Sequence, residues 1–108
     1  MVAPDIVTSV RHYLSALAKE GIAATFAVLF GSQAKGTADK WSDIDLIVVS
    51  PRFDGLKREG DVTRLWRLTA RTDCRIEPVP CGEREWVEDD SRAIIEIARR
   101  EGVVITPN

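Results

Sequence analysis

Residues 25–49 read TFAVLFGSQAKGTADKWSDIDLIVV, and the rest of the chain has to be built around this stretch. Thr25–Phe30 is a short β-prone run that stops abruptly at Gly31 and Ser32, and a second run, Asp43–Val49, follows after a connection of small and polar residues. The two read as neighbouring strands. Past its opening residues the second run is apolar on both faces, Ile44, Leu46 and Val48 alternating with Ile47 and Val49, as expected of a central strand covered on both sides. Side chains alternate along a strand, so Asp43 and Asp45 project to one face while Ile44 enters the opposite layer. Between the strands, Gly31 and Ser32 open a short helix through Gln33 and Ala34.

On the N-terminal side, Ile6, Val7, Val10, Leu14, Leu17 and Ala18 recur at three- and four-residue steps, which predicts an amphipathic helix from Pro4 to about Glu20, closed by Gly21. His12 falls between that stripe and the polar face and reads as solvated. On the C-terminal side, Pro51–Gly60 is a turn-rich charged connection, and Val62, Leu65, Trp66, Leu68 and Thr69 return to helical spacing as far as about Arg71. Arg75–Val79 is a third strand in which Pro78 and Pro80, two apart, remove donors from one side only, so it should pair through the other. Glu83–Asp89 reads as a short acidic helix or turn. Arg92–Glu101 reads as a last helix with Ile94, Ile95, Ile97 and Ala98 on one face, Asp90 or Ser91 as cap and Gly102 as stop. Val103–Thr106 adds a final strand. The sum is an α/β (α+β) layer structure, a mixed sheet of about three to five strands packed with helices.

At 108 residues the chain has room for one core of two packed layers, so a single domain over residues 1–108 is expected. A content of 44% hydrophobic and 30% charged residues excludes a disordered, collagen-like or disulfide-dense chain. The formal charge of -2 supplies no whole-molecule attraction to nucleic acid or an anionic membrane. No apolar run approaches a membrane span and the N-terminus shows no basic segment followed by an apolar stretch and cleavage site, so a cytoplasmic location is expected. Cys74 and Cys81 lack the spacing of a zinc site and are expected to be structural thiols.

Two carboxylates on one face at the start of an apolar strand repel each other and are costly to desolvate unless a cation or water neutralises them. Magnesium suits such a pair, since it takes carboxylate and water oxygens and completes its shell with substrate phosphates. Two ions about 4 Å apart can activate an attacking oxygen and stabilise a leaving pyrophosphate, which calls for a third carboxylate. Glu77, held extended by Pro78, is the candidate. The start of the short helix at Gly31 and Ser32 favours a phosphate, Gly31 permits its close approach, and Lys35 or Lys40 can add a positive charge near the β- and γ-phosphates.

Each signal alone is weak, but Gly31-Ser32, then ten residues, then Asp43-Ile44-Asp45 at the mouth of a buried strand resembles the signature of the nucleotidyltransferases related to DNA polymerase beta. Gly36, Ser42 and Leu46 also fit it. The resemblance runs from about Thr25 to Trp86 and is closest to the minimal nucleotidyltransferases, small proteins that often accompany a HEPN-domain partner as a toxin–antitoxin pair. It implies a palm-like nucleotidyltransferase fold, a nucleoside triphosphate, most readily ATP, and two magnesium ions on Asp43, Asp45 and Glu77. It places Gly31, Ser32, Lys35 and Ser42 on the nucleotide and the acceptor hydroxyl on the HEPN partner. Two departures stand out. The third acid is usually aspartate, and larger relatives carry a second domain for base and acceptor, so a partner chain or a second copy is expected to complete the cleft.

A reading from another class is a catalytically lapsed binding module that neutralises a partner by contact alone. A third is transfer to a small molecule or to a nucleic-acid 3′ end, which the negative net charge disfavours. Among the aromatics, Trp66 and Trp86 read as core or interface anchors. Trp41, just before Asp43, is left open between a surface residue and a neighbour of the nucleotide. The arginines from Arg64 to Arg75 read as a solvated helix face, in part available to an acidic partner.

Overall fold

The computed structural model describes residues 2–39, 41–54, 59–88 and 92–108. Its centre is β2 (Ile44–Val49), which lies between β1 (Phe26–Phe30) and β3 (Ile76–Cys81) in a four-stranded sheet of order β3-β2-β1-β4, with β4 spanning Val103–Ile105. The sheet is mixed. β1 runs antiparallel to β2 and to β4, and β3 runs parallel to β2. The parallel step is made through α3 (Glu59–Thr69), because a crossover is needed to bring the chain back to the same end.

The alternation read from the sequence sorts β2 into two layers. Ile44, Leu46 and Val48 join a cluster with α1 (Pro4–Lys19), including Tyr13, Leu14 and Leu17, and with Leu65 and Leu68 of α3. Ile47 and Val49 join a smaller cluster on the other face with Cys81, Val28, and Ile95 and Ala98 of α5 (Ala93–Glu101). Tyr13, fully buried, donates its hydroxyl to the Leu65 carbonyl at 2.8 Å, which pins α1 to α3 and supplies the partner a buried phenol needs. Its burial in apolar surroundings pushes the phenol pKa upward. Trp86, on α4 (Glu83–Glu88), closes the smaller layer, edge-on to Phe26 at 5.9 Å and beneath the Arg99 guanidinium.

β3 is an edge strand, as its prolines require. Ile44 donates to the Arg75 carbonyl and Ser50 to the Cys81 carbonyl, so the odd-numbered residues of β3 face β2 and the missing donors of Pro78 and Pro80 face outward. The strand also runs further than Val79, to Cys81, because the outward prolines do not interrupt its pairing with β2 as far as Val49. α3 begins at Glu59 rather than Val62. Asp61, in its first turn, is buried and held by Arg52 through two hydrogen bonds of 3.0 Å, an anchor with no periodic signal in the sequence. At the start of α5 the cap position is Arg92, while Asp90 and Ser91 lie outside the described residues.

Cys81 is a buried thiol, but Cys74 is exposed on the turn before β3, so the structural expectation holds for Cys81 alone. His12 is exposed. Trp66 is 48% exposed on the outer side of α3 and takes no part in the core. Arg75 departs from the solvated arginine face, being half-buried and bonded to Asp73. Among the described residues no helix is long and apolar enough to cross a membrane.

Candidate active site

Three strands meet the same end of the sheet at Phe30, Asp45 and Glu77, which are direct neighbours across the two ladders. Residues paired across a sheet point to the same face, so Asp45 and Glu77 emerge side by side, and Asp43 lies on that face just ahead of β2. Asp43 and Glu77 are exposed and Asp45 is half-buried. The clustering shows in the acid strength of Glu77. Its carboxyl is pushed above the usual glutamate value by partial desolvation, by hydrogen bonding to Asp45, and by the negative charges of Asp43 and Asp45.

Gly31 closes the site from above. Its backbone sits at φ 72°, ψ -152°, a region essentially reserved for glycine. A Cβ there would collide with the Asp45 carboxylate, lying 3.4 Å from its Cγ. The glycine is therefore required twice, to make the turn and to let the chain pass over the aspartate. Directly after it, α2 (Ser32–Lys35) is a single turn whose first residue, Ser32, is half-buried and whose last, Lys35, is exposed. Lys40 lies outside the described residues.

The loop that delivers Asp43 is fastened from two sides. Asp39 Oδ1 accepts from the Trp41 amide at 2.8 Å and from the Ser42 hydroxyl at 3.2 Å, while the Asp39 amide donates back to Ser42 Oγ at 3.1 Å. Buried Gln33, on α2, donates its side-chain amide to the Ser42 carbonyl at 3.4 Å, tying the Gly-Ser turn to the aspartate loop. The Ser42 side chain is thus committed to shaping the loop. Gln33 and Asp39 were not singled out from the sequence. A lone glutamine in a short helix carries no periodic signal, and the Asp39-x-x-Ser42 spacing is the one trace of the turn.

Behind this loop lies a cavity of about 270 Å³ lined by Ala3, Asp5, Ile6, Gln33, Ala38, Asp39 and Arg75. Arg75 is committed to Asp73 at 2.7 Å, and Ser9 of α1 donates to the same carboxylate at 2.7 Å. The Arg75 guanidinium, with Ser9, holds the Asp73 carboxyl down at about 2 against the cost of its desolvation.

The donor set is all oxygen, which fits magnesium or another hard cation and does not fit zinc or copper. Among the described residues no three acidic, His or Cys side chains are drawn close enough to cage a metal by themselves. A pair of aspartates with a third acid alongside instead leaves coordination positions for phosphate and water oxygens.

The nucleotidyltransferase domain model matches residues 10–100, which includes Gly31, Ser32, Asp43, Asp45 and Glu77. Comparison with curated protein sequences gives no match. Among solved structures, the chain is similar to a Sulfolobus solfataricus protein provisionally described as a nucleotidyltransferase, with a TM-score of 0.60 at 15% identity. The similarity covers 91% of this chain and 77% of that one, and at this identity it establishes the shared fold. With the family model spanning most of its length, the chain belongs to the nucleotidyltransferase domain family.

Proposed function

We propose that this domain transfers a nucleotidyl group from a magnesium-bound nucleoside triphosphate, ATP in the first instance, to a hydroxyl on a partner protein. The observation that carries the reading is the meeting of Asp43, Asp45 and Glu77 at one end of the sheet beneath the glycine-only backbone of Gly31. Asp43 and Asp45 would hold the metal, with Glu77 helping on one side. When bound, the metal neutralises phosphate charge and polarises the α-phosphoryl group. Gly31 and Ser32 present the turn on which the β- and γ-phosphates lie, with Lys35 on the same helix as a nearby cation. The acceptor oxygen attacks the α-phosphorus and forms the new P–O bond. The bond from the α-phosphorus to the bridging oxygen breaks, and pyrophosphate leaves with the electron pair. The acceptor's proton passes to Glu77, the carboxylate that stands beside Asp45 at the exposed end of the sheet.

Exposure of Asp43 and Glu77 leaves the reacting centre open to a folded acceptor, which supports a protein partner over a buried small molecule. The resemblance to minimal nucleotidyltransferases points to a HEPN-type chain in that role. The test is incubation with ATP labelled at the α-phosphate, magnesium and the candidate partner. Label on the partner with release of pyrophosphate, both lost in the Asp43→Asn/Asp45→Asn protein, is the expected result. Protection of cells from the partner by that double variant, without any transfer, would instead make the domain a neutralising binding module.

A further inference from the structure

The cavity of about 270 Å³ behind the aspartate loop lies between the first turn of α1 and the segment 33–39. Small-molecule sites run from roughly 300 to 1,000 Å³, so this one is sized for a single side chain rather than for a nucleotide or a cofactor. Its polar lining is only partly used. Gln33 is 7% exposed and donates its side-chain amide to the Ser42 carbonyl, while its Oε1 accepts no hydrogen bond among the described residues. No buried side-chain oxygen or nitrogen lacks a partner among those residues, so Oε1 reaches open space, and the space that Gln33 borders is this cavity. Asp39 spends Oδ1 on the Trp41 amide and the Ser42 hydroxyl and leaves Oδ2 unbonded. Asp5, in the first turn of α1, acts on Arg75 through charge alone. Arg75 also lines the cavity, but its guanidinium is bonded to Asp73, so the carboxylates of Asp5 and Asp39 leave the lining negative.

We propose that this cavity is a docking notch for the guanidinium of an arginine on a partner protein. Acceptors on Gln33, Asp5 and Asp39, with an excess of negative charge, call for a cation rich in N–H donors. A guanidinium carries such donors in a rigid fork and is more weakly hydrated than an ammonium, which favours arginine over lysine. Its methylene stem suits the apolar walls of Ala3, Ile6 and Ala38. An arginine seated in a small pocket is a common anchor of protein interfaces. Gln33 and Asp39 also fasten the loop that leads into Asp43, so a partner anchored here is held at that loop. Neither metal nor nucleotide enters the notch, and it stands or falls apart from the transfer reaction.

The test is titration of N-acetyl-arginine methylamide into the isotopically labelled full chain, followed by backbone amide shifts in NMR spectra, with the citrulline analogue as a neutral isostere and the lysine analogue as a second cation. The arginine probe is expected to give saturable shifts at residues 3–6, 33, 38–39 and 75, with affinity about tenfold above that of either other probe. Asp5→Asn/Asp39→Asn keeps the size of both side chains and should weaken the arginine probe by about tenfold or more. Unchanged amide shifts in the rest of that variant show that it is folded. Equal binding of arginine by the double variant, a citrulline or lysine analogue that binds as tightly, or shifts confined to other parts of the surface would overturn the notch.

Discussion

Gly31 and Glu77 carry opposite kinds of information. Gly31 occupies a conformation that a side chain disfavours and sits against a carboxylate, so Gly31→Ala should cost about 1–3 kcal/mol of stability from backbone strain, besides displacing Asp45. Urea unfolding would measure it. The double change Gly31→Ala/Asp45→Ala should recover only the part due to the collision, because the backbone strain remains. Glu77 tests the chemistry instead. Glu77→Gln keeps the shape and removes the proposed base, so the transfer rate should fall by about a hundred- to ten-thousandfold with triphosphate binding largely retained. Rates unchanged by this substitution would remove Glu77 from the mechanism. The Gly-Ser turn and the Asp-x-Asp pair were legible in the sequence because their meaning is local, in backbone freedom and strand alternation. The contact between Gly31 and Asp45 was not, since it joins residues on two strands.

Elements are held to one another here by a few polar ties as well as by the core. Asp73 precedes β3, receives the Arg75 guanidinium and is bonded by Ser9 of α1, so it fastens the first helix to the strand that bears Glu77. Its folded pKa of about 2 lies below its ordinary 3.8. A depressed carboxyl contributes stability above its unfolded pKa and loses it as the pH falls through the folded value. Asp73→Ala should therefore lower stability by about 1–2 kcal/mol at pH 7, after allowance for solvent screening, and by progressively less from about pH 4 down to pH 2. Urea unfolding curves for both proteins across that range give the comparison, and a constant difference would exclude the ion pair as its cause. The elements themselves were legible from periodicity, with shifts at their ends. α3 starts early because Asp61 is anchored by Arg52, and β3 ends late because its prolines face away from β2. Both depend on partners remote in sequence.

At the scale of the molecule, the charges of Asp43 and Asp45 act against that of Glu77 at the acidic end of the sheet, a repulsion that a cation bound there would relieve. Millimolar magnesium should raise the melting temperature of wild type, with a gain of about 1.4 kcal/mol at ten times the Kd, and should leave Asp43→Asn/Asp45→Asn unmoved. Without magnesium the double variant should melt at or above wild type, since it lacks the repulsion. Equal magnesium shifts in both proteins would place the ion elsewhere. The sequence by itself determined the layered α/β plan, the edge position of β3 and the common face of Asp43 and Asp45, because these follow from side-chain period and from the missing donors of proline. Only the tertiary structure decided that Glu77 stands beside Asp45, that Gly31 passes over its carboxylate, and that Gln33 and Asp39 fasten the loop bearing Trp41. Strand order, register and long-range hydrogen bonds bring together residues that no local period relates.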